Sequence, residues 1–213
     1  MIIKDIIGAE NLKGLKTGAV MTCNHFNAFD SFAIQVAYEA CVENTKKKKF
    51  FRVIREGNYT SFPGFYGFLM RNCYTLPLGS SPKVMAELLK ATDKLLNDGH
   101  LVLVYPEQSM WWNYRKPKPL KKGAFRFAVK ANVPIVPCFI TMQDSFIKDD
   151  DGFAVQEYTI HIEKPIYPKA DLSNADNMEY LLNENYRVWR EIYERAYHTK
   201  LQYTTPFEVK PEM

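Results

Sequence analysis

Ala19-Val20-Met21-Thr22-Cys23-Asn24-His25-Phe26-Asn27-Ala28-Phe29-Asp30 is a short apolar run that stops at a histidine, followed five residues later by an aspartate. Ala19 to Cys23 has the unbroken apolar character of a buried strand, and Asp30-Ser31 reads as the entry to a helix. The loop between them turns the chain back, so the Asp30 carboxylate can stand beside the His25 ring and at a helix N-terminus, where negative charge is favoured. An imidazole whose second nitrogen is held by a carboxylate has a fixed tautomer and a more stable protonated form. A general base that takes a hydroxyl proton needs both. His25 and Asp30 are therefore the candidate base and orienter. A His-x4-Asp pair also arises by chance, so the assignment depends on what accompanies it.

Further strands and helices alternate outward from this stretch. Ile2 to Ile7 suggests an opening strand, closed by the turn-rich segment Gly8 to Gly18. Phe32 to Val42 reads as a helix with Phe32, Val36 and Cys41 along one side, ending before the solvated run Lys46 to Lys49. Phe50 to Ile54 and Cys73 to Leu78 read as strands. Between them, Phe62 to Met70 is aromatic and interrupted by Gly and Pro, which predicts an irregular path through the core, with an alkyl-chain groove or a bilayer contact as the alternatives. The best-defined helix is opened by Ser81-Pro82, carries Val84, Met85, Leu88, Leu89, Thr92, Leu95 and Leu96 at helical spacing, and is ended by Gly99.

Leu101 to Tyr105 is the kind of run found in a sheet covered on both faces, and it delivers Pro106-Glu107-Gln108-Ser109 to a strand end. Ligands of open α/β sheets bind beyond the carboxyl ends of the strands, so Glu107 and His25 are expected on one rim. Gly123 to Ala131 reads as a helix. Val133 to Ile140 and Phe153 to Ile162 read as strands joined through a hairpin turn at Lys148 to Gly152, and residues 177 to 199 form an amphipathic helix that docks on the sheet. The expected fold class is a single α/β domain over residues 1 to 213, with a mostly parallel or mixed central sheet flanked by helices.

Bulk properties agree with that expectation. The chain has 213 residues, 46% hydrophobic and 24% charged, enough for one sizeable core. Its net charge of +4 is unevenly placed. Between Gln108 and Lys130 there is no acidic residue, while Arg115, Lys116, Lys118, Lys121, Lys122, Arg126 and Lys130 are interleaved with Trp111, Trp112 and Tyr114. That segment is either a solvated basic face or a seat for phosphates on a soluble ligand or an anionic membrane surface. No nucleic-acid-binding module surrounds it, so no nucleic acid partner is expected.

Cys23, Cys41, Cys73 and Cys138 show no metal or redox spacing and read as reduced residues of a cytoplasmic protein. Cys23 raises the question of a thiol nucleophile, but its place inside the apolar run favours burial. No apolar run approaches the roughly 18 residues of a membrane span, and the N-terminus lacks a signal-peptide layout, so peripheral contact with the cytoplasmic membrane is expected.

Three pieces stand in order: Asn24-His25-x4-Asp30, Tyr105-Pro106-Glu107-Gln108-Ser109, and Lys122-Gly123-Ala124 followed by Val133-Pro134-Ile135-Val136-Pro137. At these separations they resemble the glycerolipid acyltransferases of the lysophosphatidic acid acyltransferase (PlsC-like) family, from about Ile7 to Lys164. The resemblance implies transfer of a fatty acyl group from acyl-CoA or acyl carrier protein to a hydroxyl of a lysolipid acceptor such as 1-acylglycerol-3-phosphate. A thioester is already activated, so neither a resident cofactor nor a metal is expected. The enzyme must deprotonate an alcohol, hold it and stabilise the oxyanion.

Glu107 falls at the family's acceptor-binding glutamate, with Asn24 and Ser109 beside the motif residues and Lys121 and Lys122 as candidate anion contacts. Gln108-Ser109 replaces the usual Gly-Thr, and Leu76-Pro77-Leu78-Gly79-Ser80 lacks the family's acceptor-phosphate arginine. Arg71 and Arg55 lie nearby but off the motif position, which leaves the acceptor open. A non-catalytic lipid-binding module and an acyl thioesterase are the alternatives. The absence of a Gly-x-Ser-x-Gly elbow argues against a serine triad.

Overall fold

The computed structural model describes residues 2–27, 30–41, 48–112 and 114–203. Seven strands form one mixed sheet: β1 (Ile2–Ile7), β2 (Ala19–Thr22), β3 (Phe50–Arg55), β4 (Thr75–Leu78), β5 (Leu101–Val104), β6 (Ile135–Lys148) and β7 (Ala154–Ile162), in the order β1-β7-β6-β2-β5-β3-β4. The strands from β6 to β4 are mutually parallel. β7 runs antiparallel to β6, and β1 pairs parallel with β7. The expected α/β domain with a mixed sheet flanked by helices is what the chain forms.

Alternation along the central strands divides the core into two layers. Met21, Leu103 and Ile140 pack on one face with Ala33, Ile34, Ala37 and Tyr38 of α2 (Asp30–Cys41). Val20, Val102 and Ile135 pack on the other with Leu88, Leu89 and Leu96 of α5 (Pro82–Asn97) and Leu181 of α7 (Asn174–Tyr197). Both faces are covered, which is why β2 and β5 read as continuous apolar runs.

Several expectations need correction. The buried stripe of α2 is Asp30, Ala33, Ile34, Ala37, Tyr38 and Cys41, while Phe32 and Val36 are exposed. Small alanines carry the packing face, and the larger side chains misled the reading. Val42 and part of the lysine run lie outside the described residues. The Gly8–Gly18 segment contains a short helix, α1 (Glu10–Lys13).

After α3 (Glu56–Thr60), the aromatic stretch expected to be irregular forms a regular helix, α4 (Gly64–Asn72). Pro63 precedes the helix instead of interrupting it. Gly67 lets the chain pass close to the Phe62 carbonyl, where a Cβ would stand 1.8 Å from that oxygen. This stretch is not core either, because Phe62, Phe65, Tyr66 and Phe68 are all exposed. The predicted helix at Gly123–Ala131 is a 3-10 turn, Lys122–Phe125, leading into α6 (Arg126–Ala131). α7 starts three residues before the expected 177 because the Ser173 hydroxyl caps the Asp176 N–H at 3.2 Å. At the foot of the His25 loop, the Thr22 hydroxyl donates to Asn185 Oδ1 of α7 at 2.5 Å.

Candidate active site

β2 and β5 are neighbours in register, Thr22 opposite Val104, so the loops that follow them share one rim. Asn24 makes the turn away from the sheet. Its buried amide donates to the Ile140 carbonyl at 3.0 Å and accepts from the Ile140 N–H at 2.8 Å, closing the gap where β2 leaves β6. His25 is then held by its backbone: its N–H donates to Glu107 Oε1 at 2.7 Å, and its carbonyl accepts from Trp111 N–H at 3.1 Å. The ring is stacked on Tyr105, centroids 4.1 Å apart at 25°, and keeps 26% of its side chain exposed.

His25 Nδ1 lies 2.7 Å from Asp30 Oδ2. Asp30 opens α2 and is fully enclosed. Its Oδ2 also accepts from the N–H groups of Phe26 at 3.2 Å and Asn27 at 3.4 Å, and its Oδ1 accepts from the Tyr105 hydroxyl at 2.6 Å. A carboxylate facing Nδ1 places the ring proton there and leaves the Nε2 lone pair for a substrate proton. Burial, and then the Asp30 charge, push the Tyr105 phenol well above its ordinary range, so it stays a donor to Asp30.

Both oxygens of the buried Glu107 are engaged, since Oε2 accepts from the Lys118 N–H at 2.5 Å. Each oxygen retains lone-pair capacity for an acceptor hydroxyl. Burial pushes the Glu107 carboxyl from 4.5 up to about 7, against the opposing pull of the Lys118 and His25 N–H groups. A carboxyl raised in the folded state takes up protons relative to the unfolded chain, so its contribution to stability falls as pH rises from 4.5 through about 7. Glu107→Gln removes this titration, at the cost of turning its NH2 toward one of the two N–H donors, and is expected to gain about 2 to 3 kcal/mol relative to wild type between pH 5 and pH 8. Denaturant unfolding at the two pH values checks this, and parallel pH dependences in the two proteins would refute it.

The remaining expected site residues divide into two groups. Ser109 stays with the loop, its hydroxyl accepting from Lys118 Nζ at 2.8 Å, and the Lys121 N–H donates to the Pro106 carbonyl at 2.8 Å. Lys122 turns instead to Glu179 of α7 at 3.1 Å, and Arg71 bonds the carbonyls of Tyr59 and Phe62 within its own α3–α4 segment. Gln108 takes φ +57, the left-handed backbone that a glycine would adopt without a Cβ penalty. Cys23 is fully buried, and burial followed by its neighbour Cys138 pushes its thiol well up, so it is a core residue and no nucleophile.

Sequence reasoning missed three contributors: Tyr105, Lys118 and Arg52. Arg52 is buried on β3, where it donates to the Cys73 carbonyl at 2.8 Å and to Gln35 of α2, tying α2 to the end of α4. Tyr105 was legible as the next residue on the Leu101 and Leu103 face. The sequence marks Lys118 only as one member of the basic segment, with no sign of its contact to Glu107, and nothing in it marks Arg52. Among the described residues no cluster of His, Cys, Asp and Glu could hold a metal ion, and no helix is long and apolar enough to cross a membrane.

Comparisons with known proteins identify the family. An acyltransferase family model matches residues 5–141. A chloroplastic 1-acyl-sn-glycerol-3-phosphate acyltransferase of Brassica napus is 27% identical over 172 residues, 79% of this chain and 46% of that protein. The 1-acyl-sn-glycerol-3-phosphate acyltransferase of Saccharomyces cerevisiae is 24% identical over 163 residues, 76% of this chain and 50% of that one. The chain thus spans about half the length of the curated relatives it matches. The crystal structure of the 1-acyl-sn-glycerophosphate (LPA) acyltransferase PlsC from Thermotoga maritima superposes with a TM-score of 0.64 at 20% identity, over 93% of this chain and 74% of that one. The family model takes in well over half of the chain, including the His25 loop and the Glu107 turn, and the chain therefore belongs to the acyltransferase family.

Proposed function

We propose that the protein transfers a fatty acyl group from a thioester of coenzyme A or acyl carrier protein to a hydroxyl of a lysophospholipid-type acceptor such as 1-acylglycerol-3-phosphate. The observation that carries this reading is the His25 Nδ1–Asp30 contact of 2.7 Å on the rim that Glu107 shares. The names of the curated relatives support the choice of acceptor.

His25, Asp30 and Glu107 supply the proton transfer and the hold on the acceptor. His25 Nε2 accepts the acceptor's hydroxyl proton as its oxygen attacks the thioester carbonyl. The imidazolium that forms is stabilised through Nδ1–H by the Asp30 carboxylate. The tetrahedral intermediate collapses with cleavage of the C–S bond, and Nε2–H returns the proton to the departing thiolate. Glu107 fixes the His25 backbone and offers its remaining lone pairs to acceptor hydroxyls.

The test is thiol release from acyl-CoA and from acylated carrier protein across a panel of lysolipids. Release that requires an acceptor, with the diacyl product found by mass spectrometry, is expected. Thioester cleavage of equal rate without acceptor would assign a hydrolase instead, and vesicle binding with no cleavage of either donor would assign a lipid-binding module.

A further inference from the structure

α4 is nine residues long and buries one residue, Gly67. That glycine is covered from within its own segment, where a Cβ would meet Phe62 O at 1.8 Å and Arg71 Nη2 at 2.7 Å. Leu69 and Met70 are half-buried, but the aromatic side chains point outward: Phe62 is 46% exposed, Phe65 72%, Tyr66 55% and Phe68 57%. A helix this short is marginal in water unless tertiary packing buries an apolar face. The described residues of the protein pack only the Leu69 and Met70 side of the helix and leave its aromatic face open, so that face calls for an external partner.

Its surroundings indicate the partner's chemistry. Glu56 opens α3, and from Gly57 to Ala86 the sequence contains no further aspartate or glutamate, while Arg71 and, at the start of α5, Lys83 are present. Phenylalanine and tyrosine together, with two cations beyond them and a single carboxylate at the far end of α3, suit the boundary between headgroups and acyl chains in a bilayer that carries negative lipid. The location fits as well. α3 follows the carboxyl end of β3, on the rim that carries His25, and α4 departs from it through Pro63.

The β6–β7 hairpin makes a useful contrast. Its Phe146 and Phe153 are 108% and 73% exposed, but Asp149, Asp150 and Asp151 form the connection between its strands. A negative surface repels that group of carboxylates. Exposed aromatics alone are therefore not the criterion.

We propose that the α3–α4 segment is a membrane-docking surface that lies on an anionic bilayer with Phe62, Phe65, Tyr66 and Phe68 at its interface, bringing the His25 rim to acceptors held in the membrane. The purpose of this surface rests on the acyl-transfer reading, but its test does not.

Co-sedimentation with phosphatidylcholine vesicles, with and without phosphatidylglycerol, measures the docking. Wild type should bind the anionic vesicles. Phe65→Ser with Phe68→Ser should lower partition at least ~30-fold, as expected when two phenyl side chains no longer leave water, with circular dichroism unchanged. Phe65→Ser alone serves if the pair disturbs folding. Phe146→Ser with Phe153→Ser should bind as wild type does. The proposal is overturned if wild type ignores anionic vesicles, if the α4 variant binds them normally, or if the hairpin variant loses binding. It is equally overturned if light scattering shows a dimer that the α4 substitutions dissolve, since the surface would then pair two copies of the chain. Turnover of a short-chain acceptor kept in true solution separates the two readings. It should be equal in wild type and the α4 variant, and its absence from both would count against acyl transfer and leave docking untouched.

Discussion

Replacing His25 with alanine lowers kcat for acyl transfer at least ~100-fold and changes KM for the thioester by less than about threefold. The asymmetry follows from where the ring acts. In the proposed mechanism Nε2 receives a proton only as the acceptor oxygen begins to attack, so its loss would remove transition-state stabilisation and leave ground-state binding largely intact. The fold should survive. The backbone contacts of residue 25 to Glu107 and Trp111 do not involve the ring, and Asp30 keeps its donors from Phe26, Asn27 and Tyr105. Steady-state kinetics with a thermal melt on the same preparation checks both halves. A folded variant with wild-type kcat would falsify the role given to the imidazole.

The sequence revealed which side chains share the rim more readily than what supports them. His25, Asp30 and Glu107 were legible because strand ends in an α/β sheet are predictable from short apolar runs, and two loops after neighbouring parallel strands must share an edge. The contacts that fix them span large sequence separations. Asn24 with Ile140, Glu107 with Lys118 and Arg52 with Gln35 are set by tertiary packing, and no local pattern encodes them. α4 was misjudged for a related reason. Gly and Pro argue against a helix when they stand inside it, but Pro63 stands just outside the helix and Gly67 sits where the Phe62 carbonyl needs room. Counting breakers without their helical positions gave the wrong answer, and reading aromatic residues as core gave a second one. Arg71 and Lys122 were chosen for charge and proximity in sequence, and the structure directs them to Tyr59 and Phe62 and to Glu179.

Asp30→Asn should cost ~100- to 1,000-fold in kcat, with acceptor KM within about threefold of wild type, because the variant keeps the site's shape and loses its charge. Among the described residues three donors, His25 Nδ1–H and the N–H groups of Phe26 and Asn27, converge on Oδ2, and the Tyr105 hydroxyl reaches Oδ1. An amide therefore fits best with its oxygen in the Oδ2 place and its NH2 toward Tyr105, whose hydroxyl can turn to accept. In that orientation the His25 tautomer is preserved, and what disappears is the anion that stabilises the imidazolium formed during attack. Tyr105→Phe provides the calibration: it removes one of four donors and leaves both the charge and the ring stack, so a loss of about tenfold or less is expected. A Tyr105→Phe loss equal to that of Asp30→Asn would mean that positioning outweighs charge. Full activity in Asp30→Asn would mean that the imidazole works without its carboxylate, and the mechanism would need a different source for the stability of the protonated ring.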